Sequence, residues 1–299
     1  MVPGCSTRGV LWAFPPQNPF SSFSQPTVGP VPHLSINGCD YFYNTYGSGS
    51  ETIAFGHGFL MTHRMWRAQV EALSDRYRCI VWDWRGQGQS SIPATGYDVP
   101  DLARDVVALL DALDATPCHY VGLSMGGFVG FELLTRHAHV LQSAALLDTA
   151  ASAETLRDRL KYTAMLETVR RLGYDPVIDR TVSLLFGDTF RREHPERVAR
   201  WAERITAQDP RGIVPAGHGI FRRENRLVDL GTARMPTLML VGAEDRTTPP
   251  EKARDAHDAL PNSRFVIVPH AGHSSPVEQP DAVTHHLRQF LTAPTAALL

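Results

Sequence analysis

Short, continuous apolar runs alternate with amphipathic helical patterns from residue 33 onward. The runs lack the alternation of polar and apolar residues that marks a sheet with one face in water, so each is typical of a parallel strand covered on both faces. Strands that alternate with helices predict a mostly parallel α/β sheet with right-handed crossovers. The predicted strands are residues 52–55, 79–82, 120–123, 144–147, 237–241 and 265–268.

A hairpin is predicted before these strands, because Asn37-Gly38 separates two short apolar runs at 34–36 and 41–43. The clearest helical pattern begins at Val99 and repeats apolar residues at i, i+3, i+4 and i+7, with Asp101, Arg104, Asp105 and Asp111 elsewhere on the wheel. Further helices are predicted at residues 128–137, 250–260 and 281–291.

Residues 151–231, the helical insertion, interrupt this alternation. They contain no convincing strand, and amphipathic helices are predicted at 156–172, 177–186 and 198–205. An insertion after one strand is expected to fold over the strand ends as a lid. The α/β core then consists of residues 33–150 and 232–299.

The first 32 residues are rich in proline and serine, and proline at this density blocks helices and sheet ladders. We expect a loose tail. A secretion signal is the alternative, but the apolar stretch 10–14 is short and Pro15-Pro16 ends it without a small-residue cleavage site.

The overall charge and cysteine content favour a cytoplasmic protein. Lys plus Arg total 29 and Asp plus Glu total 31, a net charge of -2, which argues against a nucleic-acid-binding protein. No apolar run reaches the ~18 residues of a membrane helix, so no membrane association is expected. The cysteines form no CxxC pair and indicate a reducing compartment; they are Cys5, Cys39, Cys79 and Cys118.

Residues 122–127 read Gly-Leu-Ser-Met-Gly-Gly between a predicted strand and a predicted helix. This is the context that the G-x-S-x-G motif requires, because a sharp strand-to-helix turn lifts the hydroxyl of Ser124 out of the sheet. Gly122 and Gly126 would relieve crowding at that turn, and Gly127 would let helix and sheet approach closely. The non-catalytic alternative is a glycine-rich strand-to-helix turn in which Ser124 only caps the helix.

A base and an acid are expected in the order serine, acid, histidine. His273, in the loop after the last predicted strand, is the candidate base, and His270 is assigned a structural, hydrogen-bonded role. Asp245, just after the strand at 237–241, is the candidate acid, with Glu244 and Asp148 as alternatives.

An oxyanion hole needs two backbone N–H groups. The residue after the nucleophile, Met125, would supply one, and Phe59, in the loop after the strand at 52–55, would supply the other. His57 is expected to pin that loop by hydrogen bonds without touching substrate.

The segment 83–90 (DWRGQGQS) lacks the spacing of a phosphate-binding or dinucleotide-binding loop, so we expect it to brace the floor of the active site. His63, Arg64 and His218 are assigned solvated or structural roles. No cluster has metal-ligand spacing, and no metal is expected.

Taken together, the motifs resemble those of the α/β-hydrolase superfamily over residues ~33–293. They are H-G-F at 57–59, D-x-R-G-x-G-x-S at 83–90, the Ser124 turn, G-x-E-D at 242–245 and G-H at 272–273. The resemblance implies the α/β-hydrolase fold, with a lid in the place of the helical insertion, and points to small lactonases, esterases and cofactor-free perhydrolases. It excludes haloalkane dehalogenases and epoxide hydrolases, which carry an aspartate where Ser124 stands.

The sequence therefore predicts a serine hydrolase that cleaves a small ester or lactone through an acyl-enzyme, without a cofactor. A C–C bond hydrolase or a perhydrolase with the same triad is the alternative, and a ligand receptor on this fold is the non-enzymatic one. Eight residues of the helical insertion are candidates for lining a pocket, although packing within the lid is the favoured role for each: Met165, Leu166, Leu184, Leu185, Phe186, Trp201, Ile213 and Phe221.

Overall fold

The computed structural model describes residues 32–292. The predicted loose tail, residues 1–32, and Cys5 within it lie outside the described residues apart from Pro32. Cys39, Cys79 and Cys118 are free and buried. In residues 32–292, no helix is long and apolar enough to cross a membrane.

Within the described residues, one sheet has eight strands in the order β1-β2-β4-β3-β5-β6-β7-β8. Strands β1, β2 and β4 pair antiparallel, and every other pair is parallel. This confirms the predicted mostly parallel sheet. The strands are His33–Ile36, Cys39–Tyr46, Thr52–Gly56, Arg78–Trp82, Cys118–Leu123, Leu141–Leu147, Thr237–Gly242 and Ser263–Val268.

The burial of the central strands explains why they could be predicted from the sequence. Every residue of β3, β5 and β7 is buried, as expected for central strands covered by helices on both faces. The predicted hairpin is also confirmed. Asn37 and Gly38 both have positive φ, 46° and 75°, the conformation that a tight two-residue turn requires.

The core helices lie close to their predicted positions. The Val99 helix, α2, buries Val99, Leu102, Ala103 and Val106. Asp105 differs from the prediction, because it is buried and pairs with Arg85 of the 83–90 loop. Helix α3 begins at Met125, three residues before the predicted start. The helices outside the insertion are α1 Arg67–Leu73, α2 Val99–Ala112, α3 Met125–Arg136, α9 Pro250–Ala259, α10 Ser275–Glu278 and α11 Pro280–Thr292.

The helical insertion contains two α-helices that the sequence did not predict, α6 at Asp188–Glu193 and α8 at Pro210–Phe221. Helix α6 spans fewer than two turns, which is too short for a periodic pattern. Helix α8 contains Pro215 and three glycines, which lower intrinsic helix propensity. Between β6 and β7 lie five α-helices, α4 Leu156–Leu172, α5 Ile178–Leu185, α6 Asp188–Glu193, α7 Pro195–Thr206 and α8 Pro210–Phe221, and one 3-10 helix, Leu227–Thr232.

Tertiary packing overrides that low propensity in α8. A Cβ on Gly212 would lie 2.0 Å from the carbonyl oxygen of Gly86, and one on Gly219 would lie 2.2 Å from that of Tyr97. The glycines therefore let α8 lie directly against core backbone. This contact fixes α8 on the 83–90 loop.

Candidate active site

Ser124 lies at the sharp turn between β5 and α3. Its backbone has φ 50° and ψ -109°, a strained conformation for a residue other than glycine. A Cβ on Gly122 would lie 2.4 Å from the carbonyl oxygen of Gly126, and one on Gly126 would lie 2.2 Å from that of Gly56. The neighbouring glycines thus permit the tight turn that presents the Ser124 side chain at the strand end.

The structure brings Ser124, His273 and Asp245 together in one chain of hydrogen bonds. His273 Nε2 lies 2.8 Å from Ser124 Oγ, and His273 Nδ1 lies 2.9 Å from Asp245 Oδ2. All three side chains are buried. A neutral ring that donates from Nδ1 to the carboxylate can accept the serine proton at Nε2.

The loop after β7 fixes the orientation of Asp245. Its Oδ1 accepts hydrogen bonds from the amides of Thr247, at 2.8 Å, and Thr248, at 2.9 Å. Thr248 Oγ1 donates to Oδ2 at 2.9 Å. These donors fix the orientation of the carboxylate, so that Oδ2 faces His273.

The pKa of His273 reflects two opposing effects. Burial lowers it, but the charge of Asp245 and the hydrogen bond to Asp245 raise it, and the net shift is upward. The imidazolium form is therefore stabilised by its carboxylate partner. That is the electrostatic property a base needs when it takes a proton during a reaction.

The two alternative acids make other contacts. Asp148, which follows β6, accepts from the Gly242 amide at 2.8 Å and from Ser275 Oγ at 2.6 Å. Burial, followed by the nearby charge of Asp245, raises the pKa of Asp148 to about 7. Glu244 faces the helical insertion and accepts from the Thr189 amide at 2.9 Å. Neither carboxylate has a hydrogen bond to His273 within residues 32–292.

Glu278 is a buried carboxylate that sequence reasoning missed. Its Oε2 accepts from the amides of Gly272 and Gly187, both at 2.9 Å, and its Oε1 accepts from the Ser274 amide at 3.0 Å. Glu278 therefore contacts both neighbours of His273. No motif marks this role, because it depends on backbone amides that converge only in the fold.

Within residues 32–292 the ring of His270 has no hydrogen-bond partner, which differs from its predicted hydrogen-bonded role. The residue is exposed, and its backbone carbonyl rather than its ring accepts from Gln279, at 3.2 Å. Its φ of 58° turns the chain after β8.

The candidate oxyanion donors lie on either side of Ser124. Met125 is the first residue of α3, where amides have no partner within the helix. Phe59 follows Gly58, where an added Cβ would lie 3.6 Å from Ser124 Cβ. In the part of the chain that the structure describes, neither amide has a hydrogen-bond partner. Both amides are thus free to donate near Ser124.

His57 links two loops beneath this site. Its Nε2 accepts from the Trp84 amide at 3.1 Å, so the proton lies on Nδ1, which donates to the Gly58 carbonyl at 2.8 Å. Burial lowers the pKa of His57 to about 4, which keeps the ring neutral. The ring thus fixes the loop that carries Phe59.

The 83–90 loop also braces the Phe59 loop. Gln87 Oε1 accepts from the Leu60 amide at 3.0 Å, and Asp83 Oδ1 accepts from His63 Nδ1 at 2.8 Å. His63 therefore has a structural contact. Within residues 32–292, no group of three or more His, Cys, Asp or Glu residues could hold a metal ion.

A cavity of about 90 Å³ lies between Ser124, His273 and the helical insertion. Six of the eight candidate pocket residues line it: Met165, Leu166, Leu184, Leu185, Ile213 and Phe221. The other two, Phe186 and Trp201, pack against each other with ring centroids 6.5 Å apart. The lining is largely apolar.

Sequence reasoning missed several lining residues. Tyr162 and Val169 extend the cavity face of α4 at helical spacing with Leu166, a pattern that could have identified them. Glu154 and Tyr174 stand outside the helices, and no sequence pattern marks them. Glu154 pairs with the buried Arg223 at 2.9 Å.

Comparisons with known proteins agree with this architecture. Residues 52–280 match a family model described as the alpha/beta hydrolase fold. The curated 3-oxoadipate enol-lactonase 2 of Acinetobacter baylyi is 27% identical over 244 residues, which cover 81% of this chain and 90% of that protein.

Two solved structures are similar over most of the chain. A thermophilic esterase from Thermogutta terrifontis is 31% identical with a TM-score of 0.82, covering 87% of this chain and 98% of the esterase. The enol-lactonase from Burkholderia xenovorans is 27% identical with a TM-score of 0.82, covering 88% of this chain and 100% of that chain.

Proposed function

The chain belongs to the α/β hydrolase family, and on that premise we propose that it is a serine hydrolase that cleaves a small carboxylic ester or lactone through an acyl-enzyme. The observation that carries the proposal is the hydrogen-bonded chain from Asp245 through His273 to Ser124, which opens into an apolar cavity. Family membership supports hydrolysis in general, and the geometry of these three side chains supports this chemistry.

Each residue has one role in the proposed reaction. Ser124 Oγ attacks the substrate carbonyl while His273 Nε2 takes its proton. The amides of Phe59 and Met125 donate to the negatively charged oxygen of the tetrahedral intermediate. His273 then returns the proton to the leaving alkoxide, which departs as an alcohol, and Ser124 retains the acyl group.

Water completes the cycle by the same steps. His273 takes a proton from water, the resulting hydroxide attacks the acyl carbonyl, and Ser124 leaves as its proton returns from His273. Asp245 stays ionised throughout and stabilises the imidazolium. For a lactone, the alcohol that leaves in the first half remains tethered to the acyl group.

The cavity supports a small and mainly apolar acyl or alcohol group. Its lining of aliphatic and aromatic side chains favours an apolar group over a polar one. The similar proteins include one named as an esterase and two named as enol-lactonases. Those names support esters and lactones as the classes to test.

A fluorophosphonate probe with an intact-mass measurement tests the activated serine. One covalent adduct is expected on the native chain and none on Ser124→Ala, which should fold normally and lose on the order of 10^4-fold in kcat. The companion assay is a panel of p-nitrophenyl esters of increasing chain length beside a lactone panel.

The outcomes separate the alternatives. A chain that takes no label would contradict the proposal and favour a ligand receptor. A chain that is labelled but turns over no ester or lactone would contradict the proposed substrate class and favour C–C bond hydrolysis or perhydrolysis.

A further inference from the structure

The loop that carries Phe59 contains a strained turn. The amide of Met61 donates to the carbonyl of Gly58 at 3.1 Å, which closes a turn over Phe59 and Leu60. Leu60, the third residue of this turn, has a φ of 65°. Glycine adopts this conformation at the third position of a turn without strain, whereas a leucine keeps it only where neighbouring groups hold it there.

Two glutamine side chains hold the backbone of Leu60. Gln87 Oε1, from the 83–90 loop, accepts from the Leu60 amide at 3.0 Å. Gln208 Nε2 donates to the Leu60 carbonyl at 2.6 Å. Gln208 is 9% exposed and lies between α7 and α8 of the helical insertion. The core and the insertion therefore each bind one polar group of the same strained residue.

The insertion also contacts the side chain of Phe59. The Phe59 ring packs edge-on against Phe221 of α8, with ring centroids 5.9 Å apart. A Cβ on Gly217, also in α8, would lie 3.1 Å from Cζ of Phe59. The two central residues of the turn thus both rest on the insertion.

We propose that Gln208 is a positioning residue of the oxyanion hole, which keeps the turn at Leu60 in its strained form and thereby aims the Phe59 amide. The inference rests on the proposed function, because it takes the Phe59 amide as an oxyanion donor. It makes the helical insertion part of the catalytic apparatus, although Gln208 itself acts only through the Leu60 carbonyl.

Loss of the Gln208 bond would let φ of Leu60 relax to negative values. That change reorients the peptide planes of the turn, including the plane that carries the Phe59 amide. An oxyanion donor must lie within hydrogen-bond distance of the developing charge and point at it, so a small reorientation weakens the stabilisation of the transition state.

The chain offers a matched control in Gln69. It is also a buried glutamine, and its Nε2 donates to the carbonyls of Pro276, at 3.2 Å, and Pro280, at 3.4 Å, rather than to the Phe59 loop. In both Gln69 and Gln208, Oε1 has no partner among the described residues. Gln69→Met and Gln208→Met therefore remove the same donor from two buried sites, of which one adjoins the turn.

The first measurement is steady-state kinetics on the best p-nitrophenyl ester. In Gln208→Met, kcat and kcat/KM should fall equally, by about tenfold, because the oxyanion forms only in the transition state and one donor is misdirected rather than lost. In Gln69→Met, a loss of stability should leave both constants close to those of the native chain.

The second measurement does not depend on turnover. Selective 15N-phenylalanine labelling reports the Phe59 amide, whose resonance is identified by its loss in Phe59→Leu. This resonance should shift in Gln208→Met and keep its position in Gln69→Met. Such a shift would uphold the link between Gln208 and the Phe59 amide even where no ester is hydrolysed, and that absence of hydrolysis would contradict the proposed function alone.

A third measurement tests the strain at Leu60. Leu60→Gly removes the cost of the positive φ, so the turn should no longer need Gln208. The further loss of kcat on adding Gln208→Met should therefore be smaller in the Leu60→Gly background than in the native chain.

Three results would overturn the inference. One is a Phe59 resonance that does not move in Gln208→Met. Another is an equal loss of kcat in Gln208→Met and Gln69→Met, which would show a general effect of removing a buried donor. The last is an equal effect of Gln208→Met with and without Leu60→Gly, because Gln208 would then not act against the strain of the turn.

Discussion

The carboxylate of Glu278 accepts a hydrogen bond from the amide of Gly187, and this contact joins the loop of His273 to the helical insertion. The same carboxylate accepts from the amides on both sides of His273. Burial raises the pKa of Glu278 to about 7 even though three amides favour its ionised form. The position of the candidate base and the position of the insertion are thus set by one side chain.

Glu278→Gln should lower both stability and activity. The NH₂ group of glutamine cannot accept a hydrogen bond, so at least one of the three backbone amides loses its acceptor, at a cost of about 1–3 kcal/mol. A displaced His273 should reduce kcat on ester substrates by roughly ten- to a hundredfold. Urea unfolding and steady-state kinetics measure the two effects.

The control for this change is Glu244→Gln. The Glu244 side chain also contacts the insertion, through Thr189, but within residues 32–292 it has no hydrogen bond to the His273 loop, which only the Glu244 backbone amide contacts, at the Ala271 carbonyl. It should lose some stability and keep its kcat within roughly tenfold. Equal losses of kcat in the two variants would mean that the contact with the insertion, rather than the position of His273, matters for the reaction.

Asp245→Asn should abolish most activity, although the asparagine side chain has nearly the same shape as the aspartate side chain. The comparable change in a Ser-His-Asp protease costs roughly 10^4-fold in kcat, because asparagine no longer holds the histidine in the required tautomer. We expect the same order here, and less than roughly tenfold for Asp148→Asn, whose partners are Gly242 and Ser275. The measurement is kcat of both variants on the best ester substrate. If Asp148→Asn were inactive and Asp245→Asn close to native, Asp148 would be the acid.

Hydrolysis should decline on acidification with an apparent pKa above the usual histidine value of 6.5, because Asp245 raises the pKa of His273 overall. Protonation at Nε2 removes the base, so activity is present above this pKa and lost below it. A pH profile of kcat/KM measures the value. Repeating the profile with Asp148→Asn separates His273 from a carboxyl group that titrates in the same range.

His270→Ala is the control variant for the assignment of His273 as the base. Since its ring is exposed, the variant should keep the native profile and nearly native stability. His273→Ala should be inactive at every pH. An inactive His270→Ala together with an active His273→Ala would reverse the assignment.

Arg223→Met should be strongly destabilising. Arg223 and Glu154 form an ion pair whose side chains are 4% and 5% exposed, and the guanidinium lies 3.8 Å from the centre of the Phe128 ring. Removing one partner leaves a buried charge, at a cost of about 3–5 kcal/mol. The double variant Glu154→Gln/Arg223→Met should recover part of this loss in urea unfolding. If it is less stable than Arg223→Met, the pair does not account for the cost.

The sequence predicted those parts of the molecule whose signals are local. The central parallel strands β3, β5 and β7 are buried on both faces, so they read as continuous apolar runs. The turn at Ser124 is marked by glycines that the backbone geometry demands. Candidate site residues at strand ends could therefore be identified from the amino-acid sequence alone.

Other features depend on contacts between distant segments. Asp105 lies within an amphipathic helix and is buried against Arg85 and Tyr41. Because it is charged, the pattern of apolar residues along the helix could not predict this burial. Helix α8 exists because its glycines fit against core backbone. Glu278 gains its importance in part from the amide of Gly187, which is 91 residues away in the chain.

The backbone contact between Gly212 and Gly86 means that the two helices of the cavity wall, α4 and α8, differ in how well they tolerate substitution. At Gly212 any side chain would strike the 83–90 loop, which also positions the Phe59 amide through Gln87. Both α4 and α8 line the cavity with side chains, but α8 is also held against the 83–90 loop by its backbone. Substitutions of Tyr162, Met165 and Val169 on α4 should therefore change the substrate preference. The position of α8 should stay the same in such variants.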